Sequence, residues 1–419
     1  IHSTYSPMRS TARQEELVVR AAELEMPYLA LTEVNGLWGF IRFVEEAEHA
    51  GIKPIAGTNI IHDDFDVILL AGNQRGYENI CRLLSHLHLE DDPTPRDFLC
   101  KHQEGIFVLC PEKHLEYLAS RIPGSNLFAE LRPGENSRTL LKTAKVLDIE
   151  PVATGDVYFM FPEDADTHKI LRAIDNNARL SDLPPDEVKS EMHYFTTEEE
   201  MRRRYPHCPE AVDNAYYLAE RCKTDWSFVN NIFPEMSLQS THRANQELRK
   251  LVYEGAQRRY QTVTEAVEDR IERELELITE KGFAPYFLVV QDIVKQASKT
   301  IGRGSAAASI VSYCLFITQV NPVKYNLYFE RFLHEERVDL PDIDIDFCWD
   351  ERDDILDYVF EKYGEGRAAM VSNKVLLKPR SAVREVGKVY GLSNEEIKAI
   401  TKRLGYYFSG GGSLLETIK

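Results

Sequence analysis

The sequence contains no run of 18 or more apolar residues, which argues against a membrane-spanning helix. No basic segment leads into an apolar one near its start, so no secretion signal is visible. The chain does not open on methionine but on Ile1, inside a motif-like stretch, and the expectation is a natural N-terminus that has been trimmed. Cysteine is sparse and unpatterned. Cys81, Cys100, Cys110, Cys208, Cys222, Cys314 and Cys348 include no CxxC pair, which removes support for the usual kind of zinc site. An odd, scattered set of thiols suits a reducing cytoplasm. Basic residues are outnumbered, 50 against 68 acidic, for a formal net charge of −18. Taken alone, that balance argues against non-specific binding of nucleic acid.

What is present reads as ordinary globular protein: 419 residues, 43% hydrophobic and 28% charged, enough for two or three domains with a large core. The charge is uneven. Arg367, Lys374, Lys378, Arg380, Arg384 and Lys388 face a single acid, Glu385, over the same stretch. Such a run suits a solvated helical face, and it equally suits a local basic surface on which an acidic protein binds DNA.

The first 225 residues alternate between two periodicities. Leu17, Val18, Ala21 and Leu24 share one face of a helix over 14–25, with Thr11 and Gln14 at capping-box spacing. A second helix over 41–50 stops at Gly51. Short apolar strands are expected at 28–32, 52–55, 67–71, 106–109, 127–131 and 151–154. This alternation predicts parallel βα units in an α/β sheet or barrel, with function at the C-terminal strand ends. Residues 195–225 and 243–300 read as helical. The charges of 265–280 read as the solvated side of an amphipathic helix whose apolar stripe is Ile271, Leu275 and Ile278. Another helix is expected over 350–363, and Gly410-Gly411-Gly412-Ser413 reads as a flexible loop.

Two stretches carry chemistry. In Pro341-Asp342-Ile343-Asp344-Ile345-Asp346-Phe347 the acids recur every second residue, so a strand puts all three on one face and both isoleucines on the other. Three carboxylates then lie within roughly 13 Å of one another. Their repulsion is tolerable if divalent cations neutralise it, and two Mg²⁺ ions held there can activate a hydroxyl and stabilise departing pyrophosphate oxygens. The plainer reading is an exposed strand with its polar side in water, although Asp is a poor strand former. Upstream, Gly302-Arg303-Gly304-Ser305-Ala306-Ala307-Ala308-Ser309 runs into an apolar helical stretch expected to reach Ile317. Glycines allow close approach of backbone, a helix start offers N–H groups, and Arg303 and Ser305 add donors for phosphate oxygens. The Walker A spacing is absent, and a tight turn of small residues for helix packing is the alternative.

These elements, with Tyr328-Phe329-Glu330-Arg331-Phe332-Leu333 and Arg337 between them, resemble the palm of bacterial C-family DNA polymerases, the replicative polymerase III alpha subunit and its error-prone relatives. Lys281-Gly282-Phe283-Ala284-Pro285-Tyr286 and Glu254-Gly255 with Arg259-Tyr260 fit the same pattern, and the resemblance runs in order along essentially the whole chain. Residues 379–388 look more like the error-prone branch. The resemblance implies a PHP-type distorted β/α barrel over 1–225, a nucleotidyltransferase-type α+β palm over 226–370 and part of a helical thumb over 371–419. It implies DNA-directed DNA synthesis, with Asp342 and Asp344 as catalytic metal ligands and Asp346 as a weaker one or a support of the strand. Arg303, Gly304 and Ser305 would meet the incoming dNTP, and Arg331 and Arg337 would assist phosphates or the acids. Lys374, Lys378, Arg380, Arg384 and Lys388 would grip primer–template DNA. Mg²⁺ would be the cofactor. A sliding clamp and other replisome or damage-tolerance subunits would engage regions outside this chain. A third catalytic Asp and the fingers are expected beyond residue 419, so the 419 residues alone are expected to be inactive. The stretch between Val290 and Gly302 is several residues shorter than the family pattern.

In the PHP-like part, His2-Ser3-Thr4-Tyr5-Ser6 matches half of the first His motif. Elsewhere ligands are lost: Thr32-Glu33-Val34 stands where the family often has T-D-H, Gly57-Thr58-Asn59 where it has G-x-E, and Gly155-Asp156-Val157-Tyr158 where it has N-D-x-H. His2, Glu33 and Asp156 remain as remnants of a metal site, and no exonuclease activity is expected from them. The competing functional reading is a PHP-type metal-dependent phosphoesterase or 3′→5′ exonuclease whose second region only binds DNA.

Overall fold

The computed structural model describes residues 1–226, 241–334, 336, 341–364 and 366–403. They fall into two compact units, one formed by residues 1–226 with 375 onward, the other by 227–374.

The first unit is built on α1 (Gln14–Glu23), β1 (Tyr28–Val34), α2 (Phe40–His49), β2 (Lys53–His62), β3 (Phe65–Ala71), α3 (Gln74–Leu89), α4 (Pro95–Lys101), β4 (Ile106–Cys110), α5 (Glu112–Ala119), β5 (Leu127–Leu131), α6 (Arg138–Leu147), β6 (Pro151–Ala153), α7 (Ala165–Asp175), α8 (Glu198–Arg204) and α9 (Glu210–Arg221). The six strands form one curled sheet in sequence order. The pairs β1–β2, β4–β5 and β5–β6 are parallel, as alternating strands and helices require. The pairs β2–β3 and β3–β4 are antiparallel, which departs from the expected run of βα units. The cause is local: β2 continues to His62, well past the expected end at Ile55. Asp63, with φ +51°, then turns the chain straight back into β3. At the start of α1 the cap also differs from the Thr11–Gln14 pattern, because the Glu16 carboxylate accepts the Arg13 N–H at 3.2 Å.

Both faces of the sheet are covered, which is why its strands are apolar almost throughout. Leu31, Val67, Leu69 and Val108 pack against Leu17, Phe43, Ile80 and Leu115 from the helices of one layer. Ile55, Ile68, Leu70, Leu109 and Val152 face Leu218 of α9 and the adjacent Cys222 on the other. Two helices from the far end of the described chain, α15 (Pro379–Val389) and α16 (Asn394–Arg403), belong to this unit. The Leu180 N–H donates to the Val389 carbonyl at 3.2 Å, and Gly387 leaves room for Ile397, which would lie 2.9 Å from a Cβ there.

The second unit comprises α10 (Thr241–Arg259), α11 (Glu265–Glu280), α12 (Ala284–Val294), β7 (Thr300–Gly302), α13 (Ile310–Cys314), β8 (Ile345–Phe347) and α14 (Arg352–Tyr363). Its core is helical: Leu248, Val252, Ile271, Leu275, Phe287, Ile310, Val311 and Phe332 form one cluster. The five-residue α13 stops well short of Ile317, and β8 begins at Ile345 rather than Asp342. Among the described residues the only sheet of this unit is the antiparallel pair β7–β8. No helix among the described residues is long and apolar enough to cross a membrane.

The core depends on one close crossing. A Cβ at Gly255 would lie 1.9 Å from the Cys314 carbonyl oxygen, so α10 and α13 meet backbone to backbone. Gly255→Ala is therefore expected to cost about 2 kcal/mol through overpacking, despite the better helix propensity of alanine. A lowered urea midpoint with an unchanged m-value checks it.

Candidate active site

The carboxylate stretch shows the alternation its spacing predicts. Asp342, Asp344 and Asp346 are exposed, while Ile343 and Ile345 are half-buried and pack on the core of the second unit. β7 supplies the other side of the site. Thr300 pairs with Phe347, Ile301 with Asp346 and Gly302 with Ile345, and the Arg303 N–H continues the ladder to the Asp344 carbonyl at 2.8 Å. The Gly-Arg-Gly-Ser turn and the acids are thus two strands of one ribbon. Gly302 is required because a Cβ would lie 2.8 Å from the Ile317 carbonyl oxygen. Gly304 has φ +65°, and a Cβ there would be 3.6 Å from the Asp344 carboxylate. Arg303 reaches across to Asp346, Nε to Oδ2 at 2.9 Å. Asp346 is therefore held by the chain's own cation. Tyr286 accepts the Ile343 N–H at 3.2 Å, and its hydroxyl is pushed above its usual range by burial and then by Asp342 and Asp344.

Behind the turn lies a contact that the charge pattern concealed. Glu274 sits on the same stripe of α11 as Ile271, Leu275 and Ile278 and is fully buried, not solvated. Its Oε2 accepts the Ser309 hydroxyl at 2.7 Å and the N–H groups of Ile310 and Val311 at 2.8 and 3.3 Å, while Oε1 accepts Arg270 Nε at 2.6 Å. The first amides of α13 are therefore occupied, which corrects the expectation that this helix start offers its N–H groups to phosphate. The donors that remain are those of the 3₁₀ turn Gly304–Ala308, whose first amides have no partner within the turn, together with Arg303 and Ser305. Arg270 also donates to the carbonyls of Ala308 and Leu327 at 3.2 and 3.0 Å, tying the turn to the segment that leads into Phe329–Arg331.

Arg331 ends that 3₁₀ turn, exposed, with no ion pair given to it among the described residues. Arg337 lies outside the described residues. Of the basic run, Lys374 closes the second unit and Lys378 precedes α15. Arg380, Arg384 and Lys388 recur at four-residue spacing on one exposed side of that helix, opposite buried Gly387 and Val389. Glu385 is salt-bridged to Lys388 at 2.9 Å.

In the first unit, His2, Glu33 and Asp156 do converge. β3 runs against β2, so its first residues share a sheet end with the last residues of β1, β5 and β6. The cup so formed holds Glu33, Asp66, Glu130 and Asp156. Glu33 is wrapped by the Ser3 N–H, 3.1 Å from each carboxylate oxygen, and by the Ser3 and Ser6 hydroxyls. Asp156 pairs with Lys189 Nζ at 2.7 Å and His193 Nε2 at 3.4 Å, with His2 Nδ1 at 4.0 Å. Arg132 bridges Glu130, at 2.8 Å, and Asp66. The positions where ligands are lost have other tasks: Asn59 donates to Asp66 at 2.7 Å, and the Tyr158 ring stacks on His2 at 4.1 Å. Glu130, Arg132, Lys189 and His193 were not anticipated from the sequence, because no motif links the end of β5 with the stretch that precedes α8.

The carboxylates of the ribbon offer hard oxygen donors of the kind that Mg²⁺ takes together with water. Among the described residues, no group of three or more His, Cys, Asp or Glu side chains is assembled to hold a metal ion in either unit.

Comparison with known sequences finds two families along the chain. Residues 1–132 match the PHP domain family, and residues 246–412 match the family described as the bacterial DNA polymerase III alpha NTPase domain. The chain thus carries a PHP domain and a domain of the kind found in bacterial DNA polymerase III alpha. It is 32% identical to the error-prone DNA polymerase of Symbiobacterium thermophilum, over 97% of this chain and 42% of that protein. It is 33% identical to the DNA polymerase III alpha subunits of Borreliella burgdorferi and Bacillus subtilis, in each case over 96% of this chain and 39% of the relative. The chain thus spans about two-fifths of the length of the curated relatives it matches.

Burial raises the Glu33 and Glu130 carboxyls from 4.5 to about 7. The folded chain then keeps protons that the unfolded chain releases between about pH 4.5 and 7, so stability falls as pH rises through that window. Each group contributes about 3 kcal/mol to the fall. Glu33→Gln is expected to flatten the decline, as a smaller difference between the Tm at pH 5 and at pH 7.

Proposed function

We propose that the chain is the catalytic front of a DNA-directed DNA polymerase acting in bacterial replication or error-prone repair synthesis, with Asp342 and Asp344 as its catalytic carboxylates. The observation that carries this reading is the β7–β8 ribbon, which sets Asp344 beside Arg303 and Gly304. Residues 1–225 would form the PHP domain, 226–370 the palm and 371–419 part of the thumb. Mg²⁺ held by Asp342 and Asp344 would supply activation of a primer 3′-hydroxyl and stabilisation of the departing pyrophosphate. Arg303 and the first amides of the 3₁₀ turn, with Ser305, would bind and orient the dNTP phosphates. Asp346 would act through Arg303, fixing the guanidinium at the strand edge. Arg331 and Arg337 would assist phosphates nearby. Arg380, Arg384 and Lys388, with Lys374 and Lys378, would contact the backbone of primer–template DNA without reading sequence. A clamp or other subunits would engage other regions of the polymerase.

In a polymerase that contains this chain, Asp344→Ala is expected to lower primer extension by roughly a hundredfold or more while leaving the Tm within a degree or two, since the side chain is exposed. Extension at the normal rate refutes the assignment. Replacing Arg380, Arg384 and Lys388 together by Ala is expected to reduce the slope of log K against log salt for duplex binding by about 2–3. Anisotropy titrations at several NaCl concentrations measure it, and an unchanged slope removes α15 from the DNA surface.

A further inference from the structure

The cup of the first unit gathers four carboxylates, Glu33, Glu130 and Asp156 buried and Asp66 half-buried, and buried charges of one sign persist only when they are neutralised. In metal-binding members of the PHP family, metal ions would do this. Here each acid is already served by the chain. Arg132, itself buried, forks between Glu130 and Asp66. The Lys189 ammonium lies 2.7 Å from Asp156 Oδ2. Among the described residues no side-chain cation is paired with Glu33, which is held by two serine hydroxyls and a backbone N–H. Around Asp156 the remaining neighbours are imidazoles. His193 Nε2 stands 3.4 Å from the same oxygen that Lys189 holds. His2 donates from Nδ1 to the Val157 carbonyl at 3.1 Å, which leaves Nε2 as an acceptor, and that atom is fully buried without a hydrogen-bond partner.

We infer that Lys189 and Arg132 are built-in cations that replace bound metal in this domain, and that the Lys189 ammonium takes the place beside Asp156 and His193 that a divalent ion would take. Carboxylate and neutral imidazole are the donors that Mn²⁺ and Zn²⁺ accept. What bars them is the ammonium, a cation tethered at high effective concentration to the same oxygen. The domain is then a metal-independent scaffold. The positions where family ligands are missing serve the same network: Asn59 donates to Asp66, and Tyr158 stacks on His2.

The test uses the whole 419-residue chain with Asp342 and Asp344 both replaced by Ala, so that the proposed site of the second unit cannot bind the ion. With the first unit unchanged, the purified chain should carry no stoichiometric divalent metal by elemental analysis, and EDTA or Mn²⁺ should leave its Tm unchanged. Metal at one equivalent, or a Tm that EDTA lowers, overturns the inference even if no Lys189 variant folds. Lys189→Ala should lower the Tm by roughly 10 °C. Added Mn²⁺ or Zn²⁺ should restore most of that loss, whereas Lys189→Arg, which keeps the cation, should not respond to either ion. A Lys189→Ala chain that folds but gains nothing from both ions overturns the substitution of lysine for metal.

Discussion

The short antiparallel ladder between Thr300–Gly302 and Ile345–Phe347 is the constraint on which the candidate active site depends. It converts two stretches more than forty residues apart into one surface, with the glycine turn and the acids facing the same solvent. Its last bond, from the Arg303 N–H to the Asp344 carbonyl, fixes where the turn begins relative to the acids. Neither glycine is readily replaced by a larger residue. Gly302 lies against the Ile317 carbonyl, and Gly304 combines a left-handed backbone with proximity to the Asp344 carboxylate.

The ribbon is anchored from beneath by a buried charge. Glu274 caps α13, and Arg270 joins Glu274 to two carbonyls on either side of that helix. A carboxylate and a guanidinium in a hydrophobic cluster are costly to desolvate, and removing one partner of such a pair commonly costs 3–5 kcal/mol, or about that order. What the arrangement provides is position. A five-residue helix is too short to be stable by itself, and the carboxylate at its start, with Ser309 accepting the Ser312 N–H at 3.1 Å, holds it in register with α11.

Much of this was legible from the chain, and for identifiable reasons. The alternation of Asp and Ile is a strand signal of period two, and it survives as alternating exposure even at Asp342 to Asp344, where no ladder has yet formed. Helix positions followed apolar periodicity. Two kinds of feature were not legible. The reversal at Asp63 depends on how far β2 runs, and propensity locates strand ends poorly. The role of Glu274 depends on a charged residue lying on an apolar stripe. In a helix so rich in acids its register was the available signal, since it stands three residues after Ile271 and immediately before Leu275.

The two units treat the same residue type in opposite ways, and the contrast decides their chemistry. Asp156 and Glu130 are buried and matched by Lys189 and Arg132, so their charge is spent within the fold. Asp342 and Asp344 are exposed on the extended stretch that leads into β8, with half-buried isoleucines on its other side, and Arg303 beside them is engaged by Asp346. Water can screen their charge, and a divalent ion can replace that water at far smaller cost than it could displace a tethered ammonium. Sequence alone shows the acids of the ribbon as a cluster and leaves those of the cup scattered. Which cluster accepts an external cation is set by whether the fold has already supplied one, and that is a property of the packing of residues that no local motif records.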